Sequence, residues 1–213
     1  MELLLEQCLN ILLININKEC ITKLIKYWNF VIEYNNKVNL ISRKTNLRDG
    51  FVNHIIDSLT PMMFEWPQSL KYLDIGSGGG FPGLPLKIAN QGWDVALAEA
   101  KLKKTDFLSE AARRLGLTGL TVLQKHLGPG DGHGEFDLVT TRGFGDLGPS
   151  FPLAAAFLRK GGFFLPLKGP RGTEELDRAR DAMARHGFGL SDSREFSLPV
   201  VGSRRVLFLF QRI

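Results

Sequence analysis

The sequence predicts an α/β fold in which a largely parallel sheet carries helices on both faces. After residue 66, short apolar runs alternate with amphipathic stretches of helical period, as they do in successive strand–helix–strand units. The first of these runs leads directly into a glycine-rich loop between Gly76 and Gly83. Before residue 66, apolar residues recur every three or four positions, which predicts helices instead of strands.

The chain is therefore predicted to divide near Trp66-Pro67. Residues 1–66 form an N-terminal helical extension, and residues 67–213 form the α/β domain. In that domain the predicted strands span residues 72–75, 95–99, 120–123, 136–141 and 162–167. The predicted helices span about 82–89, 101–115, 147–158 and 173–186. One further strand and an antiparallel return over 206–210 are expected to complete the sheet.

Composition is ordinary for a water-soluble globular chain, with 213 residues, 44% hydrophobic and 23% charged. No uninterrupted apolar run approaches the roughly 20 residues that a membrane span needs. The N-terminus carries early acids instead of the basic segment of a secretory signal. A cytoplasmic protein is expected.

Cysteine and histidine give no sign of a metal site. Cys8 and Cys20 are too few and too isolated for a disulfide framework or a zinc centre, and the four histidines lack metal-ligand spacing. No bound metal is therefore expected.

Two glycine patterns overlap in the loop and point to different cofactors. Gly78-x-Gly80-x-x-Gly83 satisfies the dinucleotide fingerprint, in which a pyrophosphate lies at a helix N-terminus. Asp74-x-Gly76-x-Gly78-x-Gly80 instead places an acid immediately before the loop. That carboxylate would repel a pyrophosphate but attract the ammonium and sulfonium groups of S-adenosylmethionine, so the second pattern is favoured and NAD remains the alternative.

Glu99 ends the next predicted strand, 19 residues after Gly80. An acid about 20 residues beyond such a loop commonly meets ribose hydroxyls. Both candidate cofactors contain ribose, so Glu99 supports a cofactor site without discriminating between them.

Four charged residues are predicted at one edge of the sheet, because ligands of open α/β sheets bind outside the carboxyl ends of the strands. Asp74 and Glu99 end two strands, and Arg142 and Lys168 follow two others. The acids suit a cationic cofactor and the cations an anionic substrate, with Arg142 able to hold a phosphate or a guanine edge through two hydrogen bonds. In the purely structural alternative, Arg142 pairs with a neighbouring carboxylate and Lys168 is only solvated.

The net charge of +5 is unevenly divided along the chain. Residues 1–70 contain 7 Lys and Arg against 7 Asp and Glu, whereas residues 71–213 contain 20 against 15. This excess suits a polyanionic partner such as nucleic acid, although basic enzymes without such a partner are common.

The stretch from Leu73 to Leu86 resembles the signature of the glucose-inhibited division protein B family, bacterial methyltransferases that act on the N7 atom of a guanine in 16S ribosomal RNA. Its Phe-Pro-Gly-Leu-Pro continuation is absent from methyltransferases in general. Other segments stand in the family's order along most of the chain: Asn39-Leu40, His54-x-x-Asp57-Ser58, Lys103-Lys104, Phe136-Asp137 leading to Arg142, and Lys168-Gly169.

The resemblance implies a seven-stranded Rossmann-like methyltransferase domain behind a helical N-terminal extension. It implies S-adenosylmethionine as cofactor, and 16S ribosomal RNA or the small-subunit particle as partner of a monomeric enzyme. The residues implied to bind the cofactor are Asp74, Gly76, Ser77, Gly78, Gly80, Phe81, Glu99 and Arg142.

The same resemblance implies roles on the substrate side. Asn39, Arg142 and Lys168 would lie near the RNA, the target base or the transferred methyl group, and His54 and Asp57 would shape the pocket. The chain departs from the family after the third strand, where it has Lys125–Gly130 in place of an Arg-Ala-Glu type segment. Contacts on the adenine side of the cofactor are therefore not transferred.

The implied chemistry needs no general base. Guanine N7 presents a lone pair and no proton, so positioning and electrostatics would provide the rate. Two alternatives remain at this point: an NAD-dependent oxidoreductase, and a non-catalytic RNA-binding or assembly factor that retains the fold.

Overall fold

A seven-stranded sheet forms the centre of the molecule in the computed structural model, which describes residues 1–44 and 46–213. Its strands are β1 (Lys71–Ile75), β2 (Asp94–Glu99), β3 (Leu120–Gln124), β4 (Phe136–Arg142), β5 (Leu158–Lys168), β6 (Phe188–Ser197) and β7 (Arg204–Arg212). The strand order is β3-β2-β1-β4-β5-β7-β6. Strands β1 to β5 pair in parallel, and β7 runs antiparallel to both β5 and β6.

Eight α-helices accompany the sheet in the described part of the chain. They are α1 (Glu2–Ile11), α2 (Lys18–Tyr34), α3 (Leu47–Phe51), α4 (Asp57–Leu59), α5 (Gly83–Ala89), α6 (Leu102–Leu115), α7 (Ser150–Phe157) and α8 (Gly172–Arg185). A π-helical turn at Val52–Ile56 and a 3-10 turn at Thr60–Met63 extend α3 and α4 into one run of helical turns. None of the described helices is both long enough and apolar enough to pass through a bilayer.

Apolar side chains on both faces of the sheet divide the core in two. Tyr72 and Leu97 face a core shared with α1, α2, α5 and α6. Leu73 and Phe164 face a second core shared with α7 and α8. Neighbouring residues of a strand point to opposite faces, so a strand buried on both faces is mostly apolar, as β2 is between its terminal acids Asp94 and Glu99.

The predicted α/β architecture is confirmed, including the antiparallel return, which is β7. The strand predicted to begin at Gly162 instead begins at Leu158, where the sequence predicted the end of a helix. Gly161 adopts a φ of +76°, and the pairing of β4 with β5 shifts register between Phe136 and Leu138. These irregularities let the strand run through the glycine pair Gly161-Gly162, where the sequence predicted that it would begin.

The N-terminal part is helical over most of its described length, but it does not stand apart from the sheet. Leu24 and Tyr27 of α2 are fully buried in the same core as Tyr72 of β1. The boundary near residue 66 therefore stays a prediction, because the helices before it and one sheet face share a single hydrophobic core.

Strand order fixes where a ligand can bind. From β1 the chain proceeds to β2 on one side, and later to β4 on the other. The loops that leave the carboxyl ends of β1 and β4 diverge at this switch point and open a crevice. Asp74 lies near the end of β1, and Glu99, Arg142 and Lys168 are the last residues of β2, β4 and β5, so the predicted convergence at one edge is confirmed.

Candidate active site

The glycine loop after β1 is fixed by hydrogen bonds to the neighbouring strand. The amides of Gly76 and Ser77 both donate to the carbonyl of Ala98, at 2.9 and 3.0 Å. The Ser77 hydroxyl donates to the carbonyl of Asp74 at 3.0 Å and is buried. Ser77, predicted to bind the cofactor, thus lies inside the loop, where its hydroxyl stabilises the loop conformation.

Gly78 is the glycine of the loop that has open space above it. A Cβ built on Gly76 would lie 2.7 Å from the Phe144 ring, and one on Gly80 would lie 2.6 Å from the Tyr27 hydroxyl. A Cβ on Gly78 would meet nothing nearer than 3.8 Å. Its φ of +56° belongs to the left-handed region, so its amide can point where a side-chain-bearing residue would be strained.

Asp74 lies beneath this loop instead of facing the crevice. Its carboxylate is completely buried and accepts from the Thr140 hydroxyl at 2.9 Å and from the Gly83 amide at 3.2 Å. Burial raises the pKa of Asp74 to about 6, against hydrogen bonds that lower it. Asp74 can therefore favour a cation above it through its field, without direct contact.

Glu99 holds the loop from the side of β2. Its carboxylate accepts from the Gly78 amide at 3.0 Å and from the Lys101 amide at 2.9 Å, and the residue is buried. The predicted ribose contact would need the outer lone pairs of the same carboxylate, since each oxygen accepts more than one hydrogen bond.

This cradle fits a cationic cofactor better than a pyrophosphate. Two carboxylates lie under and beside the loop, and the open space lies over Gly78. A dinucleotide would bring two negative charges to the same place, which the field of Asp74 and Glu99 disfavours. The donors and the space suit S-adenosylmethionine.

Arg142 is paired with a carboxylate, as the structural alternative supposed. Its guanidinium lies 3.3 Å from the Asp57 carboxylate, donates to the Asn53 carbonyl, and reaches the Ser58 hydroxyl at 3.4 Å. All three partners belong to the helical turns before residue 66. The Arg142 guanidinium carbon also lies 5.9 Å from the centre of the Phe81 ring.

Asp57 bridges two arginines, the second of which sequence reasoning missed. Arg205 of β7 donates from Nε to the Asp57 carboxylate at 2.9 Å, and its guanidinium lies 3.3 Å from the Asn53 side chain. The two carboxylate oxygens of Asp57 thus serve Arg142 and Arg205 separately. Asp57 and Arg205 are 148 residues apart, so no local pattern signals their contact.

Lys168 is buried and fully engaged. Its ammonium donates to the carbonyls of Phe144, at 3.1 Å, and Gly145, and lies 2.7 Å from the Glu175 carboxylate. These bonds hold the loop after β4 so that the Phe144 ring rests on Gly76. Lys168 therefore positions an aromatic side chain between β4 and the glycine loop.

A cavity of about 290 Å³ opens beside this aromatic ring. Its walls include both predicted cations and their partners: Asp57, Arg142, Phe144, Lys168, Glu175 and Arg205. Three cations and two carboxylates line it, and each of these groups is ion-paired. Within the described part of the chain, no group of His, Cys, Asp and Glu has an arrangement that would hold a metal ion.

His54, a predicted pocket residue, and Phe81, predicted to bind the cofactor, pack together next to Arg142. The His54 ring centre lies 5.0 Å from that of Phe81 and 6.3 Å from that of Trp28. Burial, with a further contribution from the charge of Arg142, lowers the pKa of His54 to about 3. His54 is therefore neutral at pH 7 and does not act as a cation toward RNA.

Asn39 is exposed in the loop after α2. The loop is fixed by Asn35, whose side chain accepts from the amides of Leu40 and Ile41 at 2.8 and 3.0 Å. Leu40 lies against the glycine loop, since its Cβ is 3.4 Å from a Cβ built on Gly79. Asn39 is thus next to the cradle, and its predicted role at the target base stays a prediction.

Comparison with known proteins identifies the family. The sequence model of GidB, described as rRNA small subunit methyltransferase G, matches residues 20–201. This chain belongs to that family. Ribosomal RNA small subunit methyltransferase G of Sorangium cellulosum is 40% identical over 177 residues, covering 81% of this chain and 74% of the relative. The protein of the same name from Staphylococcus haemolyticus is 32% identical, covering 87% and 79%.

Solved structures agree in fold. M. jannaschii TYW2 in complex with AdoMet superposes with a TM-score of 0.55 at 18% identity, over 75% of this chain and 76% of that one. TrmN from Thermus thermophilus gives 0.52 at 22% identity, over 68% and 44%. At such identities the likeness concerns the fold alone.

The open space at Gly78 predicts that Gly78→Val abolishes cofactor binding, because the new side chain would fill the cradle. Isothermal titration of S-adenosylmethionine against the folded variant measures this. Gly116→Val is the matched control, since Gly116 has a φ of +62° and no atom within 4 Å of its Cβ position. Both variants carry left-handed strain of about 1–2 kcal/mol. Unchanged affinity in folded Gly78→Val would remove the loop from the site.

The raised pKa of Asp74 predicts a pH-dependent affinity for a cationic cofactor. With a pKa of about 6, the carboxylate is largely ionised at pH 7 and largely protonated at pH 5, so affinity should fall by up to about tenfold between them. Asp74→Asn should weaken binding at pH 7 and abolish this dependence on pH. Titration calorimetry at several pH values checks both.

The same substitution should affect stability in the opposite sense. The folded-state pKa of Asp74 lies above its ordinary value of 3.8, so the ionised, buried carboxylate destabilises the fold. The free energy of unfolding therefore falls as pH rises from about 4 to 6. Asp74→Asn should therefore raise the free energy of unfolding at pH 8 by about 1–3 kcal/mol. Loss of stability at pH 8 together with intact cofactor affinity would make Asp74 a structural residue only.

Proposed function

We propose that this protein transfers the methyl group of S-adenosylmethionine to the N7 atom of a guanine in 16S ribosomal RNA. Family membership assigns the reaction class, an rRNA methyltransferase of the small subunit. The base, the atom and the residues involved are proposals. So are a monomeric state, a cytoplasmic location and a division into an N-terminal helical extension (1–66) and a methyltransferase domain (67–213).

One observation supports the site most strongly: the glycine cradle and the cavity beside Arg142 share the Phe144 side chain. The ring lies on Gly76 and also lines the cavity. A cofactor over Gly78 and a base in the cavity would thus be neighbours at the switch point of the sheet. Such adjacency is what in-line transfer between two bound molecules requires.

The bound cofactor would supply an electrophilic methyl group on a sulfonium. The residues of the chain bind and orient, and they need to move no proton, because guanine N7 carries a lone pair. Asp74 and Glu99 provide a negative field below the cradle, which suits positive charge in the reacting system. Phe144, which lines the cavity and is partly exposed, presents ring surface on which a base taken out of the RNA can stack.

The ion pairs suggest distinct roles for the two cations. Arg142 keeps part of its side chain exposed while Asp57 fixes its direction, which suits recognition of the guanine edge. Lys168 is only 6% exposed, so we assign it the positioning of Phe144 and not the capture of phosphate. In both cases the expected defect is in orientation of the target base.

Neither alternative function is favoured. An NAD-dependent oxidoreductase does not fit the buried acid below the loop or the family. A non-catalytic assembly factor would keep the cradle and the fold, so turnover is what separates it from an enzyme.

The decisive experiment is transfer of labelled methyl from S-adenosylmethionine to 16S ribosomal RNA and small-subunit particles from cells that lack this methylation. We expect stoichiometric labelling of one guanine, mapped by chain cleavage specific for N7-methylguanine. RNA already carrying the modification is the matched control and should accept nothing. Cofactor binding without transfer to either substrate would select the assembly factor, and labelling of another atom would refute the N7 assignment.

Substitution of the two cations separates orientation from cofactor binding. Arg142→Ala and Lys168→Ala should leave the Kd for cofactor nearly unchanged while slowing methyl transfer. For Arg142→Ala the activation free energy of transfer should rise by roughly 1–3 kcal/mol. Arg159→Ala is the control: Arg159 is also ion-paired, at 2.6 Å to Asp137, but lies near the amino end of β5. Thermal unfolding verifies that each variant is folded. Parental rates in both variants at subsaturating RNA would exclude both roles.

A further inference from the structure

Six basic residues lie on two segments that contact the glycine loop: the loop after α2, which contacts it through Leu40, and the beginning of α6, which contacts it through Lys104. They are Lys37, Arg43, Lys44, Lys101, Lys103 and Lys104, here called the cationic rim. None of them forms an ion pair with a carboxylate in the part of the chain that the structure describes. Five are exposed, and Lys104 is half-buried.

The first half of the rim lies in the loop after α2. From Asn35 to Arg48 the sequence contains four basic residues and no acidic one. One guanidinium nitrogen of Arg43 donates to the carbonyls of Asn35 and Asn36, at 3.2 and 3.5 Å. These bonds hold the guanidinium group in place, and its other N–H groups make neither bond. The Lys37 ammonium lies 5.7 Å from the centre of the Tyr34 ring.

The second half of the rim lies at the beginning of α6. The Lys104 ammonium comes within 3.8 Å of a Cβ built on Gly78, so this half borders the cradle directly. Lys101 and Lys103 are exposed on the same turn. Glu99 accepts from the Gly78 and Lys101 amides, and in the described part of the chain it forms no ion pair with these lysines.

Packing holds the two halves together. Phe107 of α6 lies 5.1 Å, centre to centre, from both Phe30 and Tyr34 of α2. The Tyr27 hydroxyl donates to the carbonyl of Gly79, which ties α2 to the glycine loop. The rim is therefore a surface with fixed geometry, built from two segments that are more than 50 residues apart in sequence.

The rim differs in kind from the cations inside the cavity. Arg142 and Arg205 share Asp57, and Lys168 pairs with Glu175. The charge of an ion-paired, buried cation is largely compensated by its carboxylate. An exposed, unpaired lysine can instead bind a phosphate, and this binding releases loosely held counterions. The glycine loop separates the two groups, since Gly76 touches Phe144 of the cavity and Gly78 lies by Lys104 of the rim.

We propose that the cationic rim binds the phosphodiester backbone of the RNA next to the target base. This inference rests on the proposed function and adds to it the surface that captures the substrate. Unpaired lysines at the mouth of a site contact phosphates and hold the strand without reading its sequence. The target base of the bound strand would then extend past the glycine loop and reach the cavity beside Arg142.

Salt dependence of RNA binding tests the rim with matched variants. Lys101→Gln/Lys103→Gln and Lys37→Gln/Lys44→Gln each remove two exposed charges from one half, and both leave Lys104 at the cradle in place. Lys71→Gln/Lys160→Gln removes two charges near the amino ends of β1 and β5, at the opposite edge of the sheet. The probe is a fluorescent 16S rRNA fragment, titrated with full-length protein between 50 and 300 mM salt. Cofactor affinity is measured in parallel.

Each rim pair should make the slope of log affinity against log salt shallower by about 1.5, and should weaken binding about tenfold or more near 0.1 M salt. Cofactor affinity and the slope of the Lys71→Gln/Lys160→Gln control should remain parental. Unchanged slopes in both rim pairs would overturn the proposal, as would an equal loss in the control. Preferential binding of a polyglutamate peptide over the RNA fragment, abolished by the rim variants, would assign the surface to an acidic protein instead.

The two proposals fail separately. If the parental protein methylates 16S ribosomal RNA while the rim variants keep its salt slope, the function stands and the rim is excluded. If it binds RNA through the rim but transfers no methyl group, the rim stands and the methyltransferase assignment fails.

Discussion

The buried carboxylate of Asp74 is the group on which the site depends. It joins three elements: β1, which carries it, β4 through the Thr140 hydroxyl, and the first residue of α5 through the Gly83 amide. Thr140 in turn hydrogen-bonds the Tyr72 hydroxyl at 2.7 Å, so a chain of polar groups runs through an otherwise apolar core. A charge buried this deeply is costly unless it is hydrogen-bonded, and its position below the cradle puts that cost where a cation above can offset it.

Asp57 has a comparable function for the opposite wall of the crevice. It lies in the helical turns before residue 66 and pairs with arginines from β4 and β7. Removal of either arginine leaves the other paired, but removal of Asp57 would leave two partly buried cations close together without their shared carboxylate. The contact therefore couples the N-terminal helices to the substrate side of the sheet, and it sets the direction in which Arg142 points.

The cations that line the cavity are ion-paired, Arg142 and Arg205 with Asp57 and Lys168 with Glu175. The cations of the rim form no such pairs in the part of the chain that the structure describes. Division of the net charge at residue 70 hid this arrangement, because residues 1–70 are neutral as a whole while residues 35–48 carry four basic and no acidic side chains. What matters to a polyanion is the local density of unpaired charge at one surface.

The sequence alone predicted a mostly parallel sheet, the glycine loop and the carboxyl ends of its strands, because these depend on local signals: short apolar runs, glycines and the residues that follow them. It also placed Asp74, Glu99, Arg142 and Lys168 at one edge, since parallel strands bring their carboxyl ends together. It did not predict that Asp74 lies under the loop, that Lys168 is ion-paired, or that Arg205 meets Asp57, and it left the pairing of Arg142 with a carboxylate as an alternative. Those contacts join segments as far apart as 148 residues, and only the tertiary structure decides which side chains are close enough to neutralise one another.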